Sequence, residues 1–301
     1  MAEQDIDWNL YRSFLAVMRE GSLSAAGRVL GLSQPSLGRH IDALEGALGA
    51  SLFIRAPDGL RPTPLAQELL ASAQAMSGAA QQAARLASGH QRQPRGTVRL
   101  TASQIVGGEV LPEILAPFMA QHPDIAIELV LNNRPDDLLK GEADIAVRMV
   151  KPTQQSLLAR RIGRVDIGLF AHKRYIRAHG LPTQVSDLAH HVLIGPDQDP
   201  FVAQMASRHS LPIDREMFVL RSDNDLAQMA ALRAGIGIAG CHLAVGRQDP
   251  DLQEVLPDHI TFNLDMWLLM HRDQNRNPSI KLLYRYLADA LSAYARRCTR
   301  H

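Results

Sequence analysis

Two short amphipathic patterns meet between Leu23 and Leu48. Ser22 can cap a helix in which Ala25, Ala26, Val29 and Leu30 share one face, and Gly31 supplies its stop. Ser33 caps the next helix, where Pro35 sits in the first turn at no cost in hydrogen bonds. Leu37, Ile41, Leu44 and Leu48 recur at helical spacing and form its buried stripe, while Gln34, Pro35, Ser36 and Arg39 fall on the other side. Two helices across a tight turn, the second polar at its amino end, have the layout of a helix-turn-helix that enters the major groove of DNA. An apolar-periodic helix over Leu10–Arg19 precedes them. Leu52-Phe53-Ile54-Arg55 and Leu60-Arg61-Pro62 flank the turn chemistry of Pro57-Asp58-Gly59, which predicts a two-stranded wing with an arginine on each side. Such arginines reach phosphates or a minor groove.

Residues 64–90 then read as one long helix with Leu65, Leu69, Ala73, Met76, Ala80, Ala83 and Ala87 near one stripe. It is either a spacer or a surface that pairs with its own copy. Gly89–Gly96 reads as a hinge-like linker. From Thr97 the period changes. Strands are predicted at Val98–Ala102, Ile125–Leu131, Asp144–Arg148, Val165–Ala171, Val192–Gly195, Met217–Arg221, Ile236–Ala239 and Met266–Met270. Helices are predicted at Val110–Met119, Pro135–Lys140, Asp225–Ala234 and Ile280–Arg297. Alternation of this kind implies a mostly parallel sheet covered on both faces.

Residues 7–90 resemble the amino-terminal part of the LysR-type transcriptional regulators. The likeness is carried by Phe14-Leu15-Ala16-Val17, Gly21-Ser22-Leu23-Ser24-Ala25-Ala26, the run Leu32–Ile41, Leu44-Glu45 and Leu52-Phe53-Ile54-Arg55. It implies an α+β multidomain chain. A winged helix-turn-helix occupies 7–63, a linker and dimerisation helix with hinge 64–94, and a two-lobed α/β domain like periplasmic binding proteins 95–301. The resemblance also implies that the chain crosses twice between lobes. The crossings fall near Gly163-Arg164-Val165 and Asn263-Leu264-Asp265, which gives lobe I about 95–164 and 266–301 and lobe II about 165–265. The implied partners are double-stranded DNA, a small-molecule effector, a second copy in a homodimer or homotetramer, and RNA polymerase.

The candidate DNA-contacting set is Ser24, Ser33, Gln34, Pro35, Ser36, Arg39 and His40 with Arg55 and Arg61 of the wing. Candidate dimerisation positions are Leu65, Leu69, Met76 and Ala80. In open α/β sheets ligands sit beyond the carboxyl ends of the strands. Thr101, Ser103, Gln104, Asn132, Asn133, Arg148, Gly195 and Asn224 occupy those ends and form the candidate effector set. Arg148 suits a carboxylate through two parallel hydrogen bonds, or else a salt bridge to a neighbouring acid.

Charge changes the picture in one respect. The chain holds 32 Lys+Arg against 31 Asp+Glu, so nothing global advertises a polyanion partner. Residues 8–62 carry six arginines and four acids, a local excess too small for strong DNA binding by a single copy, and pairing doubles the contacts. Two cysteines, Cys241 and Cys298, are too few for a disulfide framework. No run approaches the roughly 18–20 apolar residues of a membrane span, and the acidic start at Met1–Trp8 lacks a secretory core, so a cytoplasmic protein is expected. Gly235-Ile236-Gly237-Ile238-Ala239-Gly240 fits the dinucleotide fingerprint, yet it follows a helix, where the fingerprint requires a strand. The family places a similar glycine run here, usually followed by a pair containing proline, where this chain has Cys241-His242. His172, His179 and His190-His191 lack the partners of a zinc site, Asp136-Asp137 reads as a helix amino-terminal pair, and Met205, Met217 and Met229 read as core. No catalytic residue, metal or cofactor is expected. The alternatives left open are a ligand-independent repressor and a solute-binding or enzymatic α/β protein with an oligomerising amino-terminal region.

Overall fold

The computed structural model describes residues 6–56, 59–88, 94–133, 143–152, 157–199 and 215–299. The predicted helix at Pro135–Lys140 with Asp136-Asp137, Met205, the wing turn at Pro57-Asp58 and most of the hinge after Ser88 lie outside them. The chain divides into two compact units, one running from the N-terminus to Ala84 and the other made mainly of the chain from Arg85 onward.

The first unit is α1 (Trp8–Glu20), α2 (Leu23–Leu30), α3 (Gln34–Leu48), β1 (Phe53–Ala56), β2 (Gly59–Pro62) and most of α4 (Pro64–Ser88). Ser22 Oγ accepts from Ala25 N at 3.2 Å and Ser33 Oγ from Ser36 N at 3.2 Å, so both predicted caps form. Gly27 brings α2 against the turn. A Cβ there would sit 2.7 Å from the Leu32 carbonyl oxygen, and Leu32 N donates to Gly27 O. Phe14, Val17, Ala26, Leu37, Ile41, Leu44 and Leu52 fill the core. Val29 departs from the predicted face and is 61% exposed, because Leu23, Ala26, Gly27 and Leu30 make the inward stripe and Val29 lies a third of a turn away. The wing is antiparallel, pairing Ile54 with Arg61 and Arg55 with Leu60. Glu45 Oε1 takes both Leu52 N and Phe53 N, at 2.6 and 3.1 Å, which ties the wing to α3.

The second unit holds β3 (Gly96–Ala102), a π turn at Val106–Val110, α5 (Leu111–Gln121), β4 (Ile125–Leu131), β5 (Ile145–Arg148) and β6 (Leu157–His172). It continues with α6 (Lys173–His179), β7 (Leu193–Gly195), β8 (Phe218–Arg221), α7 (Asp225–Arg233), β9 (Ile238–His242) and α8 (Leu243–Gln248). β10 (Leu252–Val255), β11 (Thr261–His271) and α9 (Pro278–Arg297) complete it. The strand order is β4-β3-β5-β11-β6-β9-β7-β8, with β10 also on β6. β3 lies parallel between β4 and β5, and β7 parallel between β8 and β9. These two sets are joined by the long antiparallel pair of β6 and β11, in which Leu264 faces Val165 and Asp265 faces Arg164. Each predicted crossing thus lies inside one continuous strand, and the two stretches pair with one another.

The predicted strand at Ile236–Ala239 is displaced. It begins at Ile238 and runs through Cys241-His242, because Gly235 N and Ile236 N bond back to Leu232 and Ala231 and finish α7 with Gly235 at φ +66.

Candidate effector cavity and DNA-reading surface

The amino end of α3 is held by its own cap, with Gln34, Pro35 and Arg39 at the surface and Ser36 half-buried. Ser24 Oγ donates to Gln34 Oε1 at 2.8 Å, so α2 and α3 present one polar patch. Arg39 leans on Ser36 Oγ at 3.4 Å. Two predicted residues carry structural duties as well. The Ser33 hydroxyl is the cap, and half-buried His40 meets buried Ser13 through Nδ1 at 2.7 Å. Arg61 is exposed on β2, and the backbone of Arg55 lies in β1.

The predicted stripe of α4 splits in two. Ala66, Leu69 and Ala73 pack into the core of their own winged unit, whereas Leu65, Met76 and Ala80 are exposed. Leu69 therefore does not belong to the same free face as Met76.

Within the second unit, a cavity of about 370 Å³ opens where the two halves of the sheet meet. Its polar wall includes Ser103, Asn133, Arg148, Asp199, Asp225, Gln228 and His242. Its apolar wall includes Ile105, Ile167, Leu169, Leu193, Phe218, Ile238, Phe262 and Leu264. Of the predicted set, Ser103, Asn133, Arg148 and Gly195 reach this wall. Thr101, Gln104, Asn132 and Asn224 stand off it. Thr101 Oγ1 and Asn132 Oδ1 accept from the guanidinium of Arg148, at 2.9 and 3.3 Å, which also donates to Val147 O. Asn224 caps α7, accepting from Ala227 N at 2.9 Å, so its neighbour Asp225 takes the place on the wall.

Gln104 and Asn133 form a bridge across the cleft. Gln104 Oε1 accepts from Asp225 N at 2.6 Å, Asn133 Nδ2 donates to Asp225 Oδ2 at 3.0 Å, and Gln104 N donates to Asn133 Oδ1. Burial raises the Asp225 carboxyl above its ordinary value, and the Asn133 bond partly opposes that. Deeper along α7, Arg233 makes two hydrogen bonds to Glu109, at 2.8 and 2.6 Å, and a third to Asp249. The Ser103 hydroxyl is buried without a hydrogen-bond partner, a costly state for a polar group.

His242, buried, meets Tyr294 Oη through Nδ1 at 2.9 Å, and burial pushes its imidazole down to about 4. Burial likewise pushes the Cys241 thiol up to about 12 and raises Cys298, so both are protonated, unreactive sulfurs. Among the described residues no group of three His, Cys, Asp or Glu is placed to hold a metal, and no helix is long and apolar enough to cross a membrane.

The fold and these surfaces define a winged helix-turn-helix joined to a two-lobed binding domain. Residues 8–67 match the family described as bacterial regulatory helix-turn-helix protein, lysR family, and residues 91–292 match the LysR substrate binding domain. The chain belongs to the LysR family of DNA-binding transcriptional regulators with an effector-binding domain. It is 25% identical over 288 residues to the probable HTH-type transcriptional regulator LtrA of Klebsiella pneumoniae, covering 93% of each chain. Full-length AphB of Vibrio cholerae, a virulence activator, superposes with a TM-score of 0.61 at 22% identity, over 96% of this chain and 99% of that one. CbnR in complex with its target DNA gives 0.65 at 18% identity, over 94% and 99%.

The polar members Asp199, Asp225, Gln228 and His242 and the apolar residues of the wall named with them went unread in the sequence. The available signal was alternation: Ile167 with Leu169, and Ile238 with Gly240 and His242, lie on one face of the sheet.

Proposed function

We propose that this regulator acts in the cytoplasm as a homodimer or homotetramer, reading two DNA half-sites through the amino ends of its α3 helices. Gln34, Pro35, Ser36 and Arg39 contact bases, with Ser24 and His40 bracing them, while Arg55 and Arg61 hold phosphates. Leu65, Met76 and Ala80 of α4 face a second copy, since small and apolar residues let helices approach. An effector settles in the cavity against Ser103, Asn133, Arg148 and Gly195, and an arginine among them suits a carboxylate. Occupancy favours one arrangement of the lobes, which alters DNA bend or contact with RNA polymerase. The chain works by binding and not by catalysis.

The observation that carries the reading is the exposed polar patch at the capped end of α3, above a buried Leu37/Ile41/Leu44 stripe. A gel shift with DNA flanking the coding region tests it: a sequence-selective shift is expected, and binding no tighter than to random DNA overturns it. A cavity of about 370 Å³ favours effector binding over a ligand-independent repressor.

A further inference from the structure

Three glycines share the run from Gly235 to Gly240, and two have plain structural reasons. Gly235 adopts φ +66 to end α7, and a Cβ on Gly237 would lie 2.3 Å from the Val192 carbonyl oxygen. Gly240 has neither reason. Its φ is ordinary, and the nearest atom a Cβ would meet is Ile167 Cγ2 at 3.7 Å, a normal contact. A glycine inside a strand is less stable there than alanine and often marks a bulge, a bend or the close approach of a ligand or another backbone. Gly240 is also the one exposed residue of β9, lying between Ile238 and His242, which are buried on the same face.

What it is exposed to is the cavity. Leu169 pairs directly with Gly240, Ile167 with His242, and Phe262 with Ile167, so the floor is a bare peptide ringed by apolar side chains. A flat, unhydroxylated body suits such a floor, whereas a sugar would leave its hydroxyls unpaired there. At about 370 Å³ the cavity falls at the small end of the range of small-molecule sites, roughly 300–1,000 Å³. The same cavity wall includes Ser103, whose hydroxyl is buried without a partner, and Arg148.

The geometry points to a ring-bearing monocarboxylic acid as the effector, its ring flat on Gly240 and its carboxylate at Ser103 and Arg148. This deepens the effector reading above and rests on it.

Full-length protein is titrated with benzoate, 3-phenylpropionate and indole-3-acetate, followed by thermal shift and calorimetry. At least one acid is expected to raise the melting temperature saturably. The uncharged amide of that acid is expected to bind about tenfold more weakly or worse, and succinate not at all. Gly240→Leu fills the floor and should weaken the ring acid by about tenfold or more, while Gly240→Ala, whose methyl has room, stays within about threefold. The melting temperature without probe checks that the Leu variant folds, and Gly240→Val replaces it otherwise. No response to any of the three acids overturns the proposal, as does a folded Leu or Val variant that binds as tightly as the original. A sample that shifts operator DNA but binds no ring acid loses this inference alone. One that shifts no operator loses the regulator reading itself.

Discussion

His242 gives the effector domain a titration that can be worked from the structure. Its imidazole is bonded through Nδ1 to Tyr294 Oη and pushed down to about 4 by burial. In the unfolded chain a histidine titrates near 6.5. Between those two values the unfolded chain binds a proton that the folded chain refuses. The contribution to stability is therefore complete above 6.5 and is lost as acid is added down through 4. From pH 7 to pH 5 the loss amounts to about 2 kcal/mol, and it saturates near 3 kcal/mol below pH 4. His242→Asn keeps a polar atom near Tyr294 and removes the proton site. Urea unfolding is followed by Trp267 fluorescence in a Trp8→Phe background, because Trp8 and Trp267 are the two tryptophans and only Trp267 lies in the effector domain. Asp225 and His191, also shifted by burial, titrate in both proteins, so their contributions cancel in the comparison. The original protein should lose about 2 kcal/mol more than the variant between pH 7 and 5. Equal pH dependence in the two would show that His242 is not the neutral, buried group described.

Other perturbations separate the remaining surfaces. Arg39→Ala should leave the fold intact and weaken operator binding by roughly 1–3 kcal/mol in a gel shift, if the side chain reads a base. Arg61→Ala should lower affinity on all sequences and reduce the salt slope by about one; a change in base preference would contradict the division of roles. Met76→Glu should yield a smaller species on light scattering, since a charge buried across an apolar helix pair is costly, whereas Leu69→Glu should unfold the winged unit as well. Peroxide at neutral pH should leave operator binding unchanged, because both thiols are buried and protonated; a mass shift at Cys241 in folded protein would refute that.

Periodicity made the winged unit legible almost residue by residue, because caps, glycine stops and a single buried stripe all coincide there. It was less telling where packing decides. The first half of β6 carries Arg160 and Arg161 side by side and shows no strand pattern, yet it is a strand because β11 pairs along its whole length. Arg161 meets Asp265 of that partner at 2.6 Å, a contact no local window reveals. Leu69 looked equivalent to Met76 in the helical pattern, and only the core of the winged unit distinguishes them. The site suffered from a choice of signal. Polar residues at strand ends point to the cleft that holds this cavity, but half of them serve as supports, and much of the cavity wall is the apolar face of β6, β9 and β11.

Two residues on the cavity wall also help to join the lobes. Asn133 and Asp225 share the wall and bond to each other, and Gln104 holds the backbone of Asp225 from the opposite lobe. A ligand that touches Ser103 or Arg148 therefore lies beside the same bridge whose geometry sets how closely the lobes approach. The Arg233–Glu109 pair, about two turns further along α7, fixes the helix at a second point. Gly108 has no room for a side chain, since a Cβ would come within 2.6 Å of Leu226 Cδ2, so the π turn and α7 meet closely between those points. Any relative motion of the lobes has to work around these two anchors and the contact between them. An effector can bias that motion only through contacts it makes in one lobe arrangement and not in the other. The Asn133–Asp225 bond is where such a difference arises most directly, because it spans the lobes with both side chains on the cavity wall.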